Sequence, residues 1–314
     1  MMQKFVMMCG LPGSGKSIYA HKLAAEIGAV VLSSDAIRQE LYNGVVNNST
    51  NKDVFNVMLH QTRSILQGGG NVIYDATNVK RKNRLHLLES LRTCHVPLEK
   101  VIVLMLVSKE QCCERDAQRE GTAKVGPEVI EHFWRTFDPP APWEGWDDIQ
   151  IQYEIDQIKT QFYKENFPFL RFKQDNPHHQ LTLGNHLIQT LEYLVRHYKG
   201  TTVDANLLFA GYFHDIGKVM TKTFKTLKGE GDGYAHYYDH HRVGAYEFMS
   251  AYAADFQKDA LIDIGVLISL HMDPILIWPN SPRSLENLTR LAGEEYVKRV
   301  ALLSEADRNS RGMA

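Results

Sequence analysis

Three things are scarce in this sequence, and each shortage removes a class of protein. Cysteine is the first. There are four in 314 residues (Cys9, Cys94, Cys112 and Cys113), with no CxxC spacing, so a disulfide framework and a zinc ribbon are both excluded. Long apolar runs are the second. The longest, 101–107, falls far short of the roughly 20 residues that cross a bilayer, so no membrane association is expected. Net charge is the third. Lys plus Arg number 35 and Asp plus Glu 37, so the formal charge is -2 and a nucleic acid would have to be gripped locally, at an end. The first strand pattern begins almost at residue 1, so no leader is expected, and the combination points to a reducing cytosol.

The chain is long enough for two domains, and its 44% hydrophobic content allows each a core. Up to about residue 155, short apolar runs alternate with helical patterns. Strands are expected at 4–9, 29–33, 71–75 and 100–107, with helices at 17–27, 53–67 and 81–92. That alternation predicts an α/β domain, a parallel sheet with helices on both faces. The Pro-rich stretch 138–143 then breaks regular structure. The expected organisation is a first domain at 1–155, a connector at 156–169 and an all-α domain at 170–314. The expected helices there are 185–199, 203–221, 240–256, 258–271, 284–290 and 293–310. Nine of the 14 histidines lie between 178 and 271, which marks the second half as a candidate metal-binding region.

Residues 10–17 read Gly-Leu-Pro-Gly-Ser-Gly-Lys-Ser directly after the first strand, the pattern of a phosphate-binding loop. Gly10, Gly13, Ser14 and Gly15 let main-chain N–H groups face phosphate oxygens. Lys16 reaches the β/γ-phosphates, and Ser17 supplies a hydroxyl to Mg²⁺. ATP or another NTP with Mg²⁺ is therefore the expected cofactor.

After the second strand comes Ser33-Ser34-Asp35-Ala36-Ile37-Arg38. Asp35 is either the cap of the next helix or a general base on an acceptor hydroxyl, and Arg38 is placed to clamp an acceptor phosphate. Asp75 opens Asp75-Ala76-Thr77-Asn78 at the end of the third strand, suited to the metal's water shell or to the acceptor side. Residues 80–84 carry Lys80, Arg81, Lys82 and Arg84. Cations at a helix start oppose its dipole, and a polynucleotide backbone would offset that cost. Arg115 and Arg119, spaced i,i+4, would share one helix face before a mobile lid at 120–126 and close on the γ-phosphate.

These motifs (GLPGSGKS, SSDAIR, DATN and the Arg115/Arg119 pair) resemble those of the phage-type 5′-polynucleotide kinase family over roughly residues 1–150. The resemblance implies that Asp35 is the general base and that Arg38 contacts the acceptor phosphate. Thr77, Asn78, Arg81 and Arg84 join Asp75 as candidate substrate contacts.

In the second half, 209–218 read Phe-Ala-Gly-Tyr-Phe-His-Asp-Ile-Gly-Lys. A carboxylate in so apolar a setting needs a cation, and His214-Asp215 offers both ligand types for a divalent metal. His186, His240, His271 and Asp307 are further candidates, each with the alternative of a core histidine or a helix-end residue. The order H…HD…H…H…D resembles the HD phosphohydrolase superfamily, and 176–186 resembles the HD domains attached to bacterial CCA-adding enzymes. The resemblance implies His186, His214, Asp215 and Asp307 as core ligands, with His240 and His271 for a second ion. His236, His241 and Lys218 would contact substrate phosphate. One or two divalent transition metals (Mn²⁺, Ni²⁺ or Fe²⁺) are implied.

Together the halves resemble bifunctional end-healing enzymes. RNA or DNA ends are the implied substrate, and a separate RNA ligase acting downstream is an implied partner. The alternatives are a nucleoside or small-molecule kinase fused to a nucleotide phosphohydrolase, and an NTP-gated nucleotide-sensing switch.

Overall fold

The computed structural model describes residues 2–155, 169–177, 180–198 and 202–312, apart from the side chain of Asn48. Nearly all of the expected connector and the His178-His179 pair lie outside the described residues. The chain divides into two units: 1–134 with 140–154, and 135–139 with 155–314.

In the first unit, β1 (Gln3–Cys9) leads into α1 (Lys16–Ile27). It is followed by β2 (Ala29–Ser33), α2 (Ser34–Tyr42), α3 (Asn48–Gln67), β3 (Asn71–Asp75), α4 (Arg81–Leu91), β4 (Leu98–Leu106), α5 (Lys109–Ala117), α6 (Pro127–Arg135) and β5 (Asp148–Tyr153). The sheet order is β2-β3-β1-β4-β5, and every neighbouring pair is parallel. β1 and β4 are buried along most of their length, which explains their nearly unbroken apolar runs. Chain order reverses beside β1, so the loop after it opens into the crevice where α/β sheets bind ligands. The fifth strand was not expected. Its Ile149 and Ile151 alternate with Gln150 and Gln152, and it pairs with β4 from Val101↔Asp148 to Leu106↔Tyr153.

The second unit carries α7 (Leu183–His197), α8 (Ala205–Phe213), α9 (Lys218–Thr221), β6 (Thr223–Lys225), β7 (Gly231–His236), α10 (His240–Tyr252), α11 (Lys258–Leu270), α12 (Asp273–Leu276), α13 (Pro282–Ala292) and α14 (Glu294–Asn309). Two features correct the expectation of helix throughout. The antiparallel hairpin β6–β7 interrupts it, and the helix expected at 203–221 breaks at His214–Gly217. Close packing gives the reason for the break. A Cβ at Gly217 would land on the His240 carbonyl oxygen, so only glycine lets this turn press against the start of α10. Arg299 ties the helices together, bonding Asp204, the N-cap of α8, and Asp263 on α11 at 2.6 Å each. No described helix is long and apolar enough to cross a membrane.

Candidate functional site

The glycine-rich loop sits where β1 meets α1. Gly13 has φ +85°, and a Cβ there would strike the Cys112 carbonyl, so the loop lies tight against α5. Lys16 is buried and donates to the Leu11 carbonyl at 2.7 Å, closing the loop on itself. Burial lowers its pKa, and the nearby Asp75 carboxylate partly restores it. The Ser17 hydroxyl donates to Asp75 Oδ2 at 2.7 Å. Asp75 therefore lies on the loop's side of the crevice. Around it Gly10 N–H bonds the Thr77 carbonyl at 3.0 Å. The Asn78 amide donates to the Met8 carbonyl at 2.7 Å. Asn78 thus braces the end of β1.

At the end of β2, Ser33 and not Asp35 caps α2, its hydroxyl accepting from Ala36 N–H at 3.4 Å. That leaves Asp35 in the first turn with its side chain 87% exposed, one oxygen 2.6 Å from Arg38 Nη1. Arg38 is buried, and its other arm donates to Asn51 Oδ1 at 3.1 Å. Asn51 is a partner that the local sequence did not single out.

The basic run divides. Arg84 is sealed from solvent in a two-pronged pair with Glu144, Nε to Oε2 at 2.8 Å and Nη2 to Oε1 at 2.6 Å. Its Nη1 bonds the carbonyls of Asn78 and Val79, and Glu144 also accepts from Trp146 Nε1 and Ala141 N–H. This corrects the expectation that Arg84 meets substrate: every arm is spent inside the domain. Arg81 packs over the Trp143 ring at 4.8 Å and reaches Glu144 at 3.4 Å. Lys82 is exposed.

Arg115 and Arg119 do not share a helix, because α5 stops at Ala117. Arg115 forms a two-pronged pair with Glu154, at 3.0 Å from Nη1 to Oε1. Arg119 sits beyond the helix end, 3.4 Å from the Ala123 carbonyl, at the start of the exposed segment 120–125. Buried Asp116 pins the far end of that segment, accepting from Val125 and Gly126 N–H.

In the second unit the dispersed residues converge. His186 comes from α7, His214 and Asp215 from the turn after α8, and Asp307 from α14. His186 Nε2 lies 3.2 Å from Asp215 Oδ2 and 3.1 Å from Asp307 Oδ1, with His214 Nε2 3.3 and 3.6 Å from the same two atoms. On the other side, Asp215 Oδ1 lies 3.1 Å from His240 Nε2 and 3.7 Å from His271 Nε2. The two sets, which share Asp215, each gather their candidate ligand atoms within 4.8 Å.

The imidazoles are aimed by the backbone. Each Nδ1 meets a carbonyl: Ser310 for His186, Gly211 for His214, Tyr237 for His240 and Ile268 for His271, at 2.7 to 2.9 Å. A carbonyl can only accept, so Nδ1 carries the proton and, in the neutral ring, Nε2 presents a bare lone pair. His186 and His214 turn such atoms toward each other at 3.2 Å. Asp215 Oδ2, Asp307 Oδ1, His240 Nε2 and His271 Nε2 are buried without a well-formed hydrogen bond. Converging lone pairs and carboxylates repel one another unless a cation or proton lies between them. This donor set therefore fits a divalent metal.

The chain's own positive charges also meet these carboxylates. Lys218 Nζ lies 2.6 Å from Asp215 Oδ2 and also donates to Gln174 at 3.0 Å. Burial opposes charge on His214, yet Asp215 and Asp307 outweigh it and raise the imidazole to about 10. Burial alone would raise the two carboxyls. Lys218 and His214 beside Asp215, and His186 and His214 beside Asp307, instead hold both well below the usual carboxylate range. Burial, reinforced by His214 and His240, pushes His271 down to about 3.

His241 lies beside the cluster, its ring 6.2 Å from that of His271. His236 stands apart on β7, held by Asp232 at 3.0 Å. Sequence reasoning missed Arg311, which donates to Asp307 Oδ2 at 2.8 Å. It lies four residues past Asp307 but beyond the end of α14 at Asn309, so helical spacing gave no firm signal for it.

Family comparisons agree with this geometry. Residues 5–140 match the model of the AAA domain, and residues 183–312 match that of the HD domain. The chain joins a P-loop kinase-like domain to an HD domain. It is also similar to solved structures at low identity. A sugar kinase from Janibacter sp. HTCC2649 shows 18% identity and a TM-score of 0.38, over 48% of this chain and 86% of that one. A gluconokinase from Sinorhizobium meliloti 1021 shows 19% identity and a TM-score of 0.35, over 48% and 82%. A chain of the Pnkp1/Rnl/Hen1 complex shows 19% identity and a TM-score of 0.33, over 36% of this chain and 39% of that one. No curated protein matches.

Proposed function

We propose that the chain is a bifunctional end-healing enzyme for nucleic acids. Its first domain would be an ATP-dependent kinase for 5′-hydroxyl polynucleotide ends. Its second would be a metal-dependent 2′,3′-cyclic phosphodiesterase and 2′(3′)-phosphatase, and RNA repair would be the setting. The observation that carries this reading is the presence, in one chain, of a phosphate loop whose Lys16 feels the charge of Asp35, itself paired with Arg38, and of a buried cage of four imidazoles and two carboxylates. Adding and removing phosphate at one position would cancel. At the two ends of a broken strand, both reactions prepare a join.

In the kinase half, Lys16 would exchange the Leu11 carbonyl for a phosphoryl oxygen. Asp35, with one oxygen engaged by Arg38, keeps the other to accept the proton of the 5′-hydroxyl. Arg38 would orient the acceptor's phosphate, and Arg119 would swing from the 120–125 segment onto the γ-phosphoryl group. Ser17 and Asp75 would hold Mg²⁺, which neutralises charge on the β/γ oxygens when bound.

In the second half, His186, His214, Asp215 and Asp307 would hold one divalent ion. Asp215 Oδ1, His240 and His271 would hold another. A divalent ion held there would supply Lewis-acid chemistry, activating water and polarising a phosphoester. Lys218, 2.6 Å from Asp215 Oδ2, would meet the substrate phosphate.

The test is direct. Incubate the protein with ATP, a divalent metal and RNA bearing 5′-hydroxyl and 2′,3′-cyclic phosphate ends, then map both termini. Lys16→Ala should lose 5′ phosphorylation and keep 3′ processing, and Asp215→Ala should do the reverse. Unaltered termini with wild-type protein, or loss of both activities in either variant, would reject the assignment.

A further inference from the structure

The hairpin β6–β7 is wired directly into the second site. Its first strand follows α9, which carries Lys218, and its second strand ends four residues before His240. The hairpin is anchored at its base. Ala235 N–H bonds the Asp175 carbonyl at 2.9 Å, and the Asn176 amide bonds the Ala235 carbonyl at 2.8 Å. Lys222 pairs with Asp175 at 2.6 Å and sits over the Phe172 ring at 4.7 Å.

On this fixed base the sequence places an aromatic ring at every second position: Tyr234, His236 and Tyr238. Alternate residues of a strand share a face, so Tyr234 and His236 lie on one side of β7. Tyr238 continues the row, stacked on His236 with centroids 5.4 Å apart and planes 6° from parallel. Asp232 holds the His236 ring by its nitrogen edge, fixing the plane of the stack. Tyr234 is 51% exposed, so part of its ring is open to solvent. Lys225, opposite Gly231, and Lys228, in the turn, are both exposed at the far end of the same hairpin.

We propose that this row is a base-stacking ladder for the last nucleotides of a single strand whose 3′-terminal phosphate enters the His/Asp cage. The assignment rests on the second domain acting on polynucleotide ends, and it names the subsite that prefers a strand over a mononucleotide. Flat rings in series accept any base, since every base offers a π-face, while lysines alongside meet the backbone. The residue between His236 and Tyr238 supplies the carbonyl that holds His240 Nδ1, so the row adjoins one wall of the cage, and a strand stacked on it would have its end nearby. His236, expected from the sequence to touch phosphate, is here assigned to a base.

The experiment uses the full chain with Mn²⁺ and a fluorescent single-stranded RNA ten nucleotides long carrying a 3′-phosphate. Tyr234→Ala should weaken its binding about tenfold by anisotropy, and Tyr234→Trp should restore it. The ratio of kcat/KM for an RNA with a 2′,3′-cyclic end to that for a 2′,3′-cyclic mononucleotide should fall by the same factor in Tyr234→Ala. Equal RNA binding by wild type and Tyr234→Ala overturns the ladder. If wild type hydrolyses neither ester but Tyr234→Ala still loses RNA affinity, the phosphoesterase reading fails and the stacking surface stands. The two failures are thus distinguishable.

Discussion

Arg84 and Glu144 in the first domain, and Asp215 and Asp307 in the second, are all sealed from water, yet they are satisfied in opposite ways. Glu144 is met by guanidinium, indole and main-chain donors, so its charge is neutralised within the fold. Asp215 and Asp307 face the Nε2 atoms of four histidines whose Nδ1 atoms are already committed. The difference teaches how to read a buried charge. A carboxylate met only by donors holds a fold together, whereas one that also faces converging imidazole Nε2 atoms is built to share a cation with them.

That comparison can be broken at several points. The largest effect is expected from Arg84→Met, which strands Glu144 and should cost about 3–5 kcal/mol in denaturant unfolding of the first domain. Added Mn²⁺ should leave that loss unchanged. Next comes the metal itself. Mn²⁺ at a hundred times its Kd should stabilise the second domain by about 2.7 kcal/mol in calorimetry. Chelation should reverse the gain, Asp215→Ala should abolish it, and Arg84→Met should keep it. Gly217→Ala should destabilise the second domain by about 2 kcal/mol, through overpacking against His240, and should also weaken metal binding. The smallest effect tests the loop. Burial pushes the Cys112 thiol up to about 12, so at pH 8 iodoacetamide should label half-buried Cys113 well before Cys112. Equal labelling would mean that α5 does not pack against the glycine loop as described.

The kinase-type fold was readable because its decisive residues are contiguous. Residues 10–17 specify a loop whose conformation follows from glycine and from the strand before it. The cage was readable only in part. His214-Asp215 stands out as an acid in an apolar run, but its partners span 186 to 307, and only their order linked them. What was missed has physical causes. β5 follows a Pro-rich stretch and is half polar, so its alternation was hidden. The hairpin contains Gly231 and Gly233, poor strand residues that a fixed base compensates. Arg84 looked like surface because its partner lies 60 residues away. Arg119 looked helical because i,i+4 spacing says nothing about where α5 ends.

His214, His240 and His271 each hang from a carbonyl three residues earlier in their own segment. Their aim is thus fixed locally, before any guest arrives. A mould of this kind is complete when cast. Such a site would accept an ion without refolding around it.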